Sequence, residues 1–161
     1  RYLARCRDLF GDERASYADA LARHYEFGAP PDWQDSYISE YATMHPWEDF
    51  AECFAHYLHI TDTIDTAREA GMVLHVDRVR FTGPRDIVPL ESYADAPIDR
   101  LLFDWKWMSL FFNRVNTAMG KNPLYPFEIG KPVADKLGFV HEVVRGSGTS
   151  TAASNQGAVG A

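Results

Sequence analysis

Tyr41-Ala42-Thr43-Met44-His45-Pro46-Trp47-Glu48-Asp49-Phe50-Ala51-Glu52-Cys53-Phe54-Ala55-His56-Tyr57-Leu58-His59 is the stretch on which the reading of this chain turns. It sets three acidic side chains (Glu48, Asp49, Glu52) and three imidazoles (His45, His56, His59) in a segment that otherwise reads as a buried aromatic helix. Pro46 suits the first helical position, because its fixed φ is helical and its missing N–H would have had no partner there. At about 100° per residue, Glu48, Glu52, Ala55, His56 and His59 fall within roughly a third of the circumference. Trp47, Phe50, Phe54 and Leu58 fill the neighbouring arc, which reads as core-facing. A carboxylate and imidazole stripe beside a core-facing stripe is costly unless something binds it, since buried charges must be paired or coordinated. The alternative is an ordinary solvated helix, on which Glu and His four apart make weak surface pairs. Ala51 and Ala55 leave room beside the stripe and Tyr41 stands shortly before it. Spacing leaves both readings open.

The residues also carry a resemblance. Ser39-Glu40-Tyr41-Ala42-Thr43-Met44-His45-Pro46-Trp47-Glu48-Asp49-Phe50-Ala51-Glu52, followed by Ala55-His56-Tyr57-Leu58-His59, resembles the characteristic block of bacterial zinc-binding metallopeptidases that also carry a zinc ribbon. Upstream matches lie at Leu9-Phe10-Gly11-Asp12-Glu13-Arg14 and Arg23-His24-Tyr25. Downstream ones lie at Met119-Gly120, at Leu124-Tyr125-Pro126-Phe127 and from Leu137 to Val144, so the likeness covers nearly everything up to residue 145. It implies a gluzincin, in which two histidines of an H-E-x-x-H helix and a glutamate on a later helix hold one zinc. Glu48 matches that third ligand. Glu52, one turn on, matches an outer carboxylate that orients a ligand histidine, and His56 stands beside it, outside the ligand set. The spacing from Tyr41 to Glu48 is similar to that of lethal-factor-type zincins, which implies Tyr41 as a catalytic residue donating to the developing oxyanion.

One departure qualifies the match. The histidines are His24, His45, His56, His59, His75 and His141, and none opens an H-E-x-x-H; His141-Glu142 comes nearest, but position 145 is arginine. The family places that motif shortly before the Leu9-to-Arg14 match, and this chain starts at Arg1 inside what reads as a helix. The expectation is therefore a C-terminal piece of a longer protein, with two zinc ligands and the general base in the missing N-terminal part. Residues 1–145 form the C-terminal helical part of a metallopeptidase-like domain, and 146–161, made of small and polar residues with one valine, form a disordered tail.

Composition agrees with a folded domain. The chain has 161 residues, 46% of them hydrophobic and 14% aromatic, enough for a core and unlike a disordered composition. A net charge of −7 and no basic run argue against a nucleic-acid groove. Two cysteines without a CxxC point to a reducing cytoplasm, and nothing approaches the length of apolar chain that spans a membrane.

The expected fold is mainly α, the C-terminal helical part of a zincin-like domain, with one short strand allowed from Val73 to Phe81. Ser16-x-x-Asp19 opens a helix that Gly28 closes, and Trp33 to Met44 is a short helix or irregular. The central helix starts at Pro46 and runs to Ile60, where Thr61-Asp62-Thr63 recaps a continuation ending at Gly71. Pro97 opens a helix through Met119 with Leu101, Trp105, Met108 and Phe112 on one face. Pro132 begins the last helix, to about Arg145. The Phe103-to-Phe112 aromatics read as core packing, His75 as an exposed strand histidine and His24 as structural. Cys53 points away from Glu48.

Two functions survive. In one, the chain is the C-terminal portion of a zinc-dependent metallopeptidase acting on protein or peptide substrates, with zinc bound in the full-length parent and none held tightly here. In the other, it is a non-catalytic helical interaction or accessory module. A carboxylate-bridged dimetal bundle fits less well, since it needs Glu-x-x-His pairs on two helices and here Glu52 and His56 are four apart. Self-association of the piece through the Trp47, Phe50 and Phe54 arc is expected if the missing part leaves it bare.

Overall fold

Among the residues described by the computed structural model (2–78, 84–125 and 128–154, with side chains to Gly146), helices carry almost all regular structure. They are α1 Tyr2–Phe10, α2 Tyr17–Phe27, α3 Pro46–Glu69, α4 Ile98–Ala118 and α5 Lys131–Ser154, with single 3₁₀ turns at Trp33–Asp35 and Tyr41–Thr43. The fold is mainly α. The strand expected from Val73 does not form among the described residues: Leu74 and Ile87 pair in one isolated antiparallel bridge, and 79–81 lie outside them. The chain divides into two compact units, Arg1–Tyr57 with Gly130–Ala161, and Leu58–Ile129.

In the first unit, the Ser16 hydroxyl caps α2 by accepting from Asp19 N, and Gly28 ends it at φ 73°. Gly11 follows α1 at φ 95°, where a Cβ would meet Pro46 Cγ at 3.3 Å, so the turn into the next segment requires glycine. Phe10 is the buried residue of α1, and its ring meets Phe50 and Phe139 edge-on at 5.5 and 5.9 Å. Along α5 the buried residues are Val133, Lys136, Leu137, Gly138, Phe139, Val140 and His141, and the Tyr57 hydroxyl shares a 2.8 Å hydrogen bond with His141 Nδ1.

The inward face of α3 differs from the one expected. Trp47, Phe54 and Leu58 are 56%, 36% and 40% exposed, while Asp49, Cys53 and Tyr57 are buried. Asp49 has a counter-charge on that side. Lys136 Nζ donates to Asp49 Oδ2 at 2.5 Å and to Ser36 O at 2.8 Å, and a buried charge with a partner can sit where hydropathy forecasts an aromatic. The lysine also lies 4.2 Å from the Tyr37 ring centroid.

In the second unit, Ile60, Ile64 and Ala67 continue the buried side of α3. No break occurs near Thr61, because the Thr61 and Thr66 hydroxyls donate back to Leu58 O and Asp62 O instead of capping a new helix. Gly71 ends this stretch at φ 67°. Ala67, Leu74, Ile87 and Met108 form a core flanked by Met72, Phe103, Trp107, Phe111 and Phe112, so the aromatic run of α4 is packing, as expected. Asp104, fully buried, accepts from Tyr93 Oη at 2.6 Å and from Arg100 Nε at 2.8 Å. Trp105 stands edge-on to Tyr125 at 4.9 Å, and Asn113 holds the Tyr125 backbone from both sides. Helix α5 continues past Arg145 to Ser154; the rest of the stretch expected as a disordered tail, 155–161, lies outside the described residues.

Candidate functional site

Glu48 occupies the first turn of α3, where a carboxylate is favoured by the unpaired N–H groups and the helix dipole. The start of that helix is tied down by His45, a residue 2% exposed. Its Nδ1 lies 3.1 Å from Trp47 N and its Nε2 lies 3.0 Å from Ala15 O. A backbone N–H only donates and a carbonyl only accepts, so the imidazole is the neutral tautomer with its proton on Nε2. It caps α3 and simultaneously holds the residues that lead into α2.

That staple brings Tyr17, at the head of α2, to Glu48. The Tyr17 hydroxyl donates to Glu48 Oε1 at 2.8 Å. Its ring lies edge-on to His45 at 5.3 Å and tilted over Trp47 at 6.0 Å. The hydrogen bond to Glu48, and after it one with the Tyr41 hydroxyl, push Tyr17 ionisation above its ordinary range. Glu48 is half-buried, and its Oε2 carries no protein hydrogen bond among the described residues. Tyr41, 43% exposed, sits in the 3₁₀ turn just before α3 with its ring edge-on to His24 at 6.3 Å.

Of the residues singled out from sequence, Glu48 and Tyr41 are thus drawn together around Tyr17, while Glu52 and His56 follow Glu48 on α3 at successive turns, both half-buried. Sequence reasoning missed Tyr17 and the Asp49–Lys136 pair. Ser16 marks the start of α2, but nothing in that cap indicates which element its first residue faces. Asp49 has the position of a solvated neighbour of the stripe, yet burial pushes its carboxyl up to about 6, against the opposing pull of Lys136. Burial likewise pushes the Cys53 thiol up; its sulfur lies 3.7 Å from Asp49 Oδ1.

A second group, His75, Asp77 and Asp86, offers ligand atoms within 4.8 Å of one another, all three residues being exposed. Asp86 already uses Oδ1 to accept from Val76 N and Oδ2 to engage His75 Nδ1, and these bonds, the backbone one first, hold its carboxyl below the usual range. His75 is exposed as expected, at a bridge edge instead of in a strand. Among the described residues no helix is long and apolar enough to cross a membrane.

Comparison with known proteins adds to this geometry. The chain is 43% identical over 143 residues to the uncharacterized protein Rv2568c of Mycobacterium tuberculosis (strain ATCC 25618 / H37Rv), and equally so to the uncharacterized protein Mb2598c of Mycobacterium bovis. Each match covers 89% of this chain and 39% of the relative, so the chain spans about two fifths of the length of these relatives. No solved structure matches it. Residues 1–143 match the family described as "Putative zinc-binding metallo-peptidase", and this chain belongs to that family.

Proposed function

We propose that this chain is the C-terminal portion of a gluzincin-like zinc metallopeptidase catalytic domain, in which it supplies Glu48 as the third zinc ligand. The observation that carries the reading is the state of Glu48: a half-buried carboxylate on the first turn of α3, one oxygen held by Tyr17 and the other without a protein partner among the described residues. This fits a single carboxylate ligand. The remaining ligands and the general base come from an H-E-x-x-H helix in the longer protein, consistent with relatives more than twice as long. Bound zinc would lower the pKa of a water and polarise the scissile carbonyl.

Within that site Glu52 orients a ligand histidine from one turn further along α3, with His56 beside it. Tyr41, exposed and adjacent to the Glu48 carboxylate through Tyr17, donates to the oxyanion as it forms, an interaction worth more in the transition state than in the ground state. The substrate is a protein or peptide and the compartment the cytoplasm. The alternative, a non-catalytic helical interaction module, is favoured by the exposed Trp47 and Phe54; the presence or absence of H-E-x-x-H shortly upstream in the parent separates the two.

The test uses the full-length protein. Glu48→Gln keeps shape but not charge and is expected to lose most bound zinc and activity. Glu52→Gln weakens zinc affinity by roughly ten- to a hundredfold. Tyr41→Phe retains zinc and lowers kcat. Elemental analysis and steady-state kinetics read these out, and full zinc occupancy in Glu48→Gln refutes the ligand assignment.

A further inference from the structure

Tyr17 lies 31 residues before Glu48 and on a different helix, yet its hydroxyl is the one protein donor to that carboxylate among the described residues. Three features put it there. The Ser16 cap makes Tyr17 the first residue of α2. The His45 imidazole, both nitrogens engaged, fixes Ala15 against the first turn of α3. The Tyr17 ring is then confined between His45 and Trp47, which leaves its hydroxyl facing Glu48. A tyrosine delivered by a cap, a staple and two ring contacts is too constrained for a casual surface bond. It resembles the arrangement by which an outer donor sets the direction of a ligand.

We propose that Tyr17 is the positioning residue of Glu48, binding Oε1 so that the carboxylate is held with Oε2 as the oxygen offered to a cation. The inference rests on Glu48 being the third zinc ligand. The Tyr17 hydroxyl has one proton, and it donates that proton's hydrogen bond to Glu48 Oε1. Tyr17 therefore restrains the ligand before metal arrives, which removes side-chain freedom that binding would otherwise have to remove. Tyr17 touches neither substrate nor the reacting atoms in this role; it acts through Glu48.

The experiment is a double-mutant cycle of zinc affinity in the full-length protein, by competition with a chelator, for wild type, Tyr17→Phe, Glu48→Gln and the pair. Tyr17→Phe keeps the ring packing on His45 and Trp47, so the metal-free protein is expected to melt with wild type while zinc affinity falls roughly ten- to a hundredfold. With Glu48→Gln already in place, Tyr17→Phe is expected to add no further loss, a coupling that a merely structural tyrosine would not produce. Unchanged zinc affinity in Tyr17→Phe, or the same loss in both backgrounds, overturns the inference. If Glu48→Gln loses zinc and Tyr17→Phe does not, the ligand assignment stands and the positioning role alone fails. If Glu48→Gln keeps its zinc, both fail.

Discussion

Replacing Lys136 by methionine should destabilise the first unit in a way that depends on pH, and the size follows from Asp49. Both side chains are buried, at 7% and 1% exposure, and the pair is 2.5 Å apart. Burial raises Asp49 from its ordinary 3.8 to about 6, with Lys136 acting against the rise. A carboxyl whose folded value is raised contributes stability fully below 3.8 and loses it as pH climbs through the folded value. In wild type that loss levels off once Asp49 ionises beside the lysine, near pH 6. Without the lysine, Asp49 stays protonated in the folded state and the loss continues at about 1.4 kcal/mol per pH unit. Lys136→Met is therefore expected to cost about 1 kcal/mol or less at pH 5 and about 3 kcal/mol at pH 8, approaching the range for a broken buried pair. Methionine keeps most of the stem packing but loses the bond to Ser36 O at every pH, so the change in penalty between pH 5 and 8 is what isolates Asp49. Urea unfolding of the two proteins from pH 5 to 8 measures the difference. An equal penalty at both ends, or a larger one at pH 5, would refute the reasoning and assign the lysine to packing.

Gly11→Ala places a side chain at φ 95° and within 3.3 Å of Pro46 Cγ; a loss of about 1–2 kcal/mol in chemical denaturation is expected, the usual cost of a left-handed alanine. Cys53 is fully buried with its thiol pushed up by burial, so a thiol reagent should leave it unmodified in the folded chain and label it only on unfolding, with intact-mass analysis as the readout. The chain without its parent should bind zinc weakly and hydrolyse no peptide, because catalytic zinc takes three protein ligands with an open fourth position. Metal titration checks this, and submicromolar affinity with casein turnover would contradict it.

Local signals were legible wherever a residue acts on its own neighbours. Pro46, Ser16, Gly28 and Gly120 mark helix ends by backbone chemistry that needs no tertiary partner, and each end falls where that chemistry puts it. Leu101, Trp105 and Met108 share a face of α4 by helical period and are buried. The block around Glu48 pointed to the family that the match over residues 1–143 shows. The recap at Thr61 misled because a threonine hydroxyl inside a helix has two uses, and the back-bond to a preceding carbonyl was the one adopted.

What a residue meets across the fold was not readable in the same way. Periodicity assigns a side chain to an arc of a helix but is silent on which arc faces inward when a charge on one helix finds its counter-charge on another. So the chain's residue order marked Trp47 and Phe54 for burial, and the packing of α5 turned Asp49 and Cys53 inward instead. Glu48 was identifiable as a candidate ligand from its motif. That Tyr17 grips it was settled by the capping of α2 and the double hydrogen bond of His45, because contacts between residues far apart along a chain depend on the relative placement of helices, which no local spacing encodes.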